Sequence, residues 1–182
     1  MLKTGSGAPA NADMGVIERA AQSTTVELQS QYLEKICKIP QLAQLGTLFK
    51  SSKPVALTES ETEYVVTCIK HIMGDNIVFQ FDISNTLPEI LLENVRVEMA
   101  EEDGGNSTRC KFILPANVIR NEDAGTVWAV YERSGMPACS FKCGLKFFVK
   151  EVNPSTGDVD QDGYEDEYIV RCDFFSVFVM RL

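Results

Sequence analysis

The sequence predicts a mainly β protein, an antiparallel β-sandwich preceded by a short N-terminal helical segment. Apolar residues recur with a period of two in stretch after stretch from residue 64 onward, as strands with one buried face require. Clusters of Gly, Asn, Asp, Ser and Pro separate those stretches, and such residues make turns. The gaps between stretches are too short for the crossover helices of a parallel sheet.

Taken in order, residues 1–23 are small, polar and unpatterned, which predicts disorder. A helix is expected from Val26 to about Lys38. Thr24 and Glu27 have capping-box spacing, and Val26, Tyr32, Leu33 and Ile36 fall on one broad apolar face. Pro40 should end it. A second apolar stretch, Leu42 to Phe49, leads to a boundary at Ser51-Ser52-Lys53-Pro54, so residues 24–50 read as a helical hinge segment and 51–172 as the sandwich.

Strands follow at Tyr64–Met73 and in NIVFQFDIS, where Ile77, Phe79, Phe81 and Ile83 oppose Val78, Gln80 and Asp82. In ENVRVEM, Val95, Val97 and Met99 alternate with Arg96 and Glu98. Cys110, Phe112 and Leu114 should share a face. Another strand is expected at Thr126–Tyr131. The longest alternation is Cys139, Phe141, Cys143, Leu145, Phe147 and Val149, and a final strand starts at Tyr168. The expected turns are Gly74-Asp75-Asn76, residues 102–107, Gly135-Met136-Pro137 and residues 153–162.

The chain has 182 residues, 45% hydrophobic and 24% charged, as one globular domain would. A formal charge of −9 argues against a nucleic-acid partner, which needs clustered Lys and Arg. Residues 1–25 hold no apolar signal-peptide core, and the longest apolar run, Phe174–Met180, is far shorter than the roughly 20 residues of a membrane span. A cytoplasmic protein is expected, with its six cysteines reduced and used as small core residues.

Motifs for chemistry are few. Asp158-Val-Asp160-Gln-Asp162-Gly163 opens like a calcium loop, with Asp at positions 1, 3 and 5 and Gly at 6. Position 12 is Ile169 rather than a bidentate carboxylate, and Glu167 comes two places early, so a solvated acidic turn is the better reading. A calcium-binding β module using Asp158, Asp160 and Asp162 is the alternative. Cys139 and Cys143 have no second ligand pair, and the lone His71 lies on another strand, which argues against zinc and against a Cys–His nucleophile. No Gly-Lys-Ser/Thr phosphate loop is present. The carboxylate runs at Glu59/Glu61/Glu63, 101–103 and 165–167 read as solvated faces. Trp128 reads as a packed core residue. A non-enzymatic protein without a cofactor is expected, one that acts by contacting other proteins.

Several phrases are more specific than strand patterning. Leu48–Val66 (LFKSSKPVALTESETEYVV), Ile69–Met99 with its VFQFD, NTL and LENV, Cys139–Gly157, and Asp162–Val170 (DGYEDEYIV) closely resemble the appendage, or ear, of the coatomer gamma subunit. The resemblance implies the appendage's immunoglobulin-like β-sandwich subdomain, without trunk or platform. It also implies a non-catalytic part of the COPI vesicle coat, supporting transport between Golgi and endoplasmic reticulum and within the Golgi. Other coatomer subunits and coat accessory proteins, an Arf GTPase-activating protein among them, are the implied partners, and peripheral attachment to Golgi membranes the implied location. No binding residue is carried over from the family. A clathrin-adaptor-type ear would share the alternation but not LTESETEY or GYEDEY. After Val170 the similarity stops, and the apolar RCDFFSVFVMRL departs from the family pattern. Residues 173–182 are therefore expected to be a divergent tail from a truncated or alternatively spliced product, prone to aggregate unless it pairs as a closing strand.

Overall fold

The structure, a computed structural model, describes residues 26–101, 109–132 and 141–170. It divides into two units that part between Gln44 and Leu45.

In the first unit, helix α1 spans residues 26–37 and α2 spans Pro40–Ala43. The broad apolar face expected on α1 is narrower in the structure. Ile36 is fully buried and Tyr32 half-buried, but Val26 and Leu33 are exposed. Pro40 does not itself end α1; it opens α2, at a position where a missing N–H costs nothing. On α1, Lys38 caps the last turn through an ion pair with Glu34 at 2.8 Å, which holds the Glu34 carboxyl below its ordinary value. Thr24, the expected cap, lies outside the described residues.

The second unit holds ten strands among the described residues: β1 (Leu48–Ser51), β2 (Val55–Ala56), β3 (Tyr64–Met73), β4 (Asn76–Asn85), β5 (Ile90–Glu101), β6 (Cys110–Leu114), β7 (Ala116–Ile119), β8 (Ala124–Glu132), β9 (Phe141–Val152) and β10 (Val159–Val170). All named pairings are antiparallel. One sheet runs β1-β3-β4-β8-β6, with β2 also on β3; the other runs β10-β9-β5-β7. Side chains of both sheets meet in one core containing Val66, Phe79, Phe81, Ile83, Val95, Val97, Val127, Phe141, Leu145 and Phe147. This is an antiparallel β-sandwich. The helical segment expected to reach residue 50 stops short, because Leu48–Ser51 pairs with β3 as a sheet strand.

The alternations read from the sequence fall on the core side in β4, β5 and β9. Strand β6 departs from its pattern. A register shift between Cys110 and Phe112 inserts a residue, so Cys110 pairs with Tyr131 and Ile113 with Ala129, both partners being core residues. Ile113 therefore packs against the core in place of Phe112 and Leu114, since an extra residue moves everything after it to the other face. Burial pushes the Cys110 thiol up, a hydrogen bond with Tyr131 opposing it. The Gly74-Asp75 turn closes the β3–β4 hairpin with Gly74 at φ 53°.

Candidate interaction surface

The phrases that carried the resemblance turn out to be packing and turn chemistry. Tyr64, from LTESETEY, meets Phe147 and Tyr168, from GYEDEY, with both ring centroids at 5.1 Å and edge-on. Upstream of it, the Thr58 hydroxyl accepts from Val66 N at 2.9 Å, and the Thr62 hydroxyl donates to Glu59 O at 2.8 Å. Burial raises the Tyr64 phenol to about 12. Asn85, from the NTL phrase, is fully buried; its amide nitrogen donates to Ile90 O at 2.9 Å and its side-chain oxygen accepts from Leu87 N at 3.0 Å. These residues fix the exit of β4 and its passage to the opposite sheet.

A second polar group was invisible as a unit in the sequence. Ser51 Oγ lies 2.8 Å from His71 Nδ1, and His71 Nε2 lies 3.1 Å from Gln80 Oε1. Gln80 Nε2 donates to Asp82 Oδ2 at 2.6 Å, and Thr126 Oγ1 donates to Asp82 Oδ1 at 2.7 Å. An amide oxygen only accepts, so His71 Nε2 carries a proton, and in the neutral ring Nδ1 accepts from Ser51. The ring of Trp128, buried at 3% exposed as expected of a packed residue, lies tilted against His71 at 5.8 Å. A Ser–His–Gln–Asp chain names the parts of a nucleophilic site. His71 is 0% exposed and Ser51 6%, so no substrate reaches them, and the chain serves to tie β1, β3, β4 and β8 together.

The acidic motif is also placed differently from expectation. The turn ends at Asp158, and Val159–Val170 is a strand, so Asp160 and Asp162 lie along β10 instead of wrapping an ion. Asp160 Oδ1 accepts from Asp162 N at 3.2 Å. Among the described residues, no three His, Cys, Asp or Glu side chains are grouped to hold a metal ion. The backbone here is a bulged strand and not the helix-flanked calcium loop that the motif opens like. An open groove of about 670 Å³ lies at that end of the sandwich, with Glu89, Glu151, Asp158 and Asp160 around Ile90, Val152 and Pro154. Cys68 and Cys143 are buried in the core, as expected, whereas Cys37 and Cys110 are surface residues, against expectation; Cys139 lies outside the described residues. The Glu59/Glu61/Glu63 run flanks the Thr62 turn, and the 165–167 run sits on β10.

The outer face of the β10-β9-β5-β7 sheet is charged. Lys146 Nζ pairs with Glu98 at 2.7 Å, which holds that ammonium above its ordinary value. Arg96 approaches Glu98 at 3.7 Å, and Lys150 pairs with Glu93 at 3.2 Å. At the margin, β10 is exposed along nearly its whole length, with Tyr164 58% and Ile169 72% exposed. The sequence pattern places the start of this strand only at Tyr168, because the part of an edge strand with both faces wet shows no alternation.

These features define an antiparallel β-sandwich in which the polar side chains described above pack and pair with one another. A family model described as the coatomer gamma subunit appendage platform subdomain matches residues 30–172. Coatomer subunit gamma-1 of Mus musculus is 43% identical over 148 residues, 79% of this chain and 17% of its own length. Coatomer subunit gamma-2 of Homo sapiens is 38% identical over 164 residues, 88% of this chain and 18% of its own. Coatomer subunit gamma of Dictyostelium discoideum is 43% identical over 140 residues, 75% and 16% respectively. The chain belongs to the coatomer gamma appendage family. It thus spans less than a fifth of the length of these relatives. The resemblance named the sandwich subdomain of this appendage; the family model's description calls the matched stretch the platform. The GAE domain of GGA2p from Saccharomyces cerevisiae aligns over 64% of this chain and 95% of its own at 13% identity and a TM-score of 0.41, a likeness that decides nothing further.

Proposed function

We propose that the chain is a non-catalytic appendage module of the COPI vesicle coat, acting in transport between Golgi and endoplasmic reticulum and within the Golgi by contacting other proteins. The observation that carries this reading is the match of residues 30–172 to a coatomer gamma appendage model. The packing agrees with it: the family phrases stabilise a scaffold, and the one Ser–His pair is sealed from solvent. Its partners are other coatomer subunits and coat accessory proteins, an Arf GTPase-activating protein among them. Its place is cytoplasmic, on Golgi membranes through the coat. Among the described residues no helix is long and apolar enough to cross a membrane, so attachment through partners suffices for this reading.

Imaging tests this. The protein labelled at its native locus should coincide with another coatomer subunit on Golgi membranes. A label that never coincides with coatomer would overturn the proposal.

A further inference from the structure

Among the described residues, β10 has a strand neighbour on one side only, β9. From Gly163 to Val170 its ladder with β9 runs without a register break, whereas the stretch from Val159 to Gly163 is bulged. Among the described residues, the regular part from Gly163 to Ile169 has no strand on its outer side, a row of backbone N–H and C=O groups about 23 Å long, at roughly 3.3 Å per residue. Such an edge accepts an added strand from another chain.

The side chains along it choose the occupant. Residues 159–170 contain Asp160, Asp162, Glu165, Asp166 and Glu167 and no Lys or Arg. Gly163, Glu165, Glu167 and Ile169 pair with Lys150, Phe148, Lys146 and Gly144, the outward positions of β9, while Tyr168 and Val170 lie on the core side. Arg96 and Lys146 both pair with Glu98, and Lys146 also faces Glu167 across the ladder, so these cations offset only part of the charge of the edge. A second copy of this chain would set like charges opposite one another. A basic strand would be attracted by Glu165 and Glu167 on the outward face, and aliphatic side chains alternating with its cations would lie on the opposite face, beside the exposed Tyr164.

We infer that β10 is a docking edge for an extended, lysine- or arginine-rich segment of a partner protein, added antiparallel or parallel beside Gly163–Ile169. The inference rests on reading the chain as an interaction module, and names the surface and the partner's chemistry.

The test uses the full chain and a ten-residue synthetic peptide alternating lysine and valine, with binding followed by fluorescence anisotropy at low and moderate salt. Three results are expected. The peptide binds and weakens as salt rises. The double variant Glu165→Lys/Glu167→Lys loses at least tenfold in affinity with an unchanged melting temperature. A peptide N-methylated on alternate backbone nitrogens, with the same charge, loses binding too. Equal binding of the methylated peptide would overturn strand addition, since charge alone would then suffice. A stable dimer of the unliganded chain that the double variant abolishes would overturn the choice of occupant. Absence of peptide binding, with coatomer subunits still recovered alongside the tagged protein, would sink the edge proposal and leave the coat reading standing.

Discussion

Two glycines facing each other's strands should respond to the same substitution with opposite signs. Gly144 on β9 and Gly163 on β10 both have strand backbone without positive φ, so steric surroundings decide the outcome. A Cβ at Gly163 would fall on the Phe148 ring and on the Val149 carbonyl oxygen. The carbonyl belongs to the β9 backbone and cannot yield without moving the ladder. Overpacking of this kind costs about 1–3 kcal/mol, against which the lost chain entropy of glycine returns about 0.4–1 kcal/mol. Taken at mid-range, the two leave Gly163→Ala destabilised by about 1 kcal/mol. At Gly144 the added Cβ would meet Glu167 Oε1 at 2.5 Å, the far end of an exposed, flexible side chain that can swing away. Gly144→Ala should stabilise by up to about 1 kcal/mol. Urea unfolding followed by tryptophan fluorescence reads both, since Trp128 is the sole tryptophan and the midpoint moves with stability at constant slope. Midpoints that shift in the same direction, or a Gly163→Ala protein as stable as the parent, would refute the packing described for the β9–β10 pair.

His71→Ala should cost about 2–5 kcal/mol, because it opens a cavity at a fully buried position and takes away the ring that bonds Ser51 Oγ and Gln80 Oε1. Val118→Ala, at an exposed position, should shift the urea midpoint little by comparison. Stability should fall at alkaline pH: with the folded Tyr64 phenol raised to about 12 against an ordinary 10, its contribution is complete below about pH 10 and is lost as pH rises through 12. Burial raises Tyr131 as well, so Tyr64→Phe should flatten the decline without removing it, and an unchanged pH profile would count against that assignment. Millimolar calcium should leave the melting temperature where it is; a rise of several degrees would restore the calcium reading of Asp158, Asp160 and Asp162.

What the sequence made legible was set by burial. Strands β3, β4, β5 and β9 each have a face against the core, and that face writes a period of two into the chain: Ile77, Phe79, Phe81 and Ile83 could be read directly. Where one face is not buried, or the register breaks, the signal vanishes. Strand β10 has Val170 and half-buried Tyr168 toward the core, but its acidic beginning looked like a loop. In β6 the shift after Cys110 carried the apolar count onto the wrong face. The short β7 shows only Ala116 and Ile119 buried, too little for a pattern. The Ser51–His71–Gln80–Asp82–Thr126 chain joins residues up to 75 positions apart through pairings of β1, β3, β4 and β8, and no local motif encodes such a meeting. The family phrases were legible for another reason. They are the turn threonines, the Asn85 clamp and the Tyr64–Phe147–Tyr168 cluster, where specific side chains are required for the chain to cross between sheets.

The central claim is that this protein works as part of the coatomer coat. Purification of the protein tagged at its native locus, with its associated proteins identified by mass spectrometry, tests that most directly. Recovery of the other coatomer subunits in comparable amounts is the predicted result. A preparation containing the tagged protein and none of the coatomer subunits would contradict it.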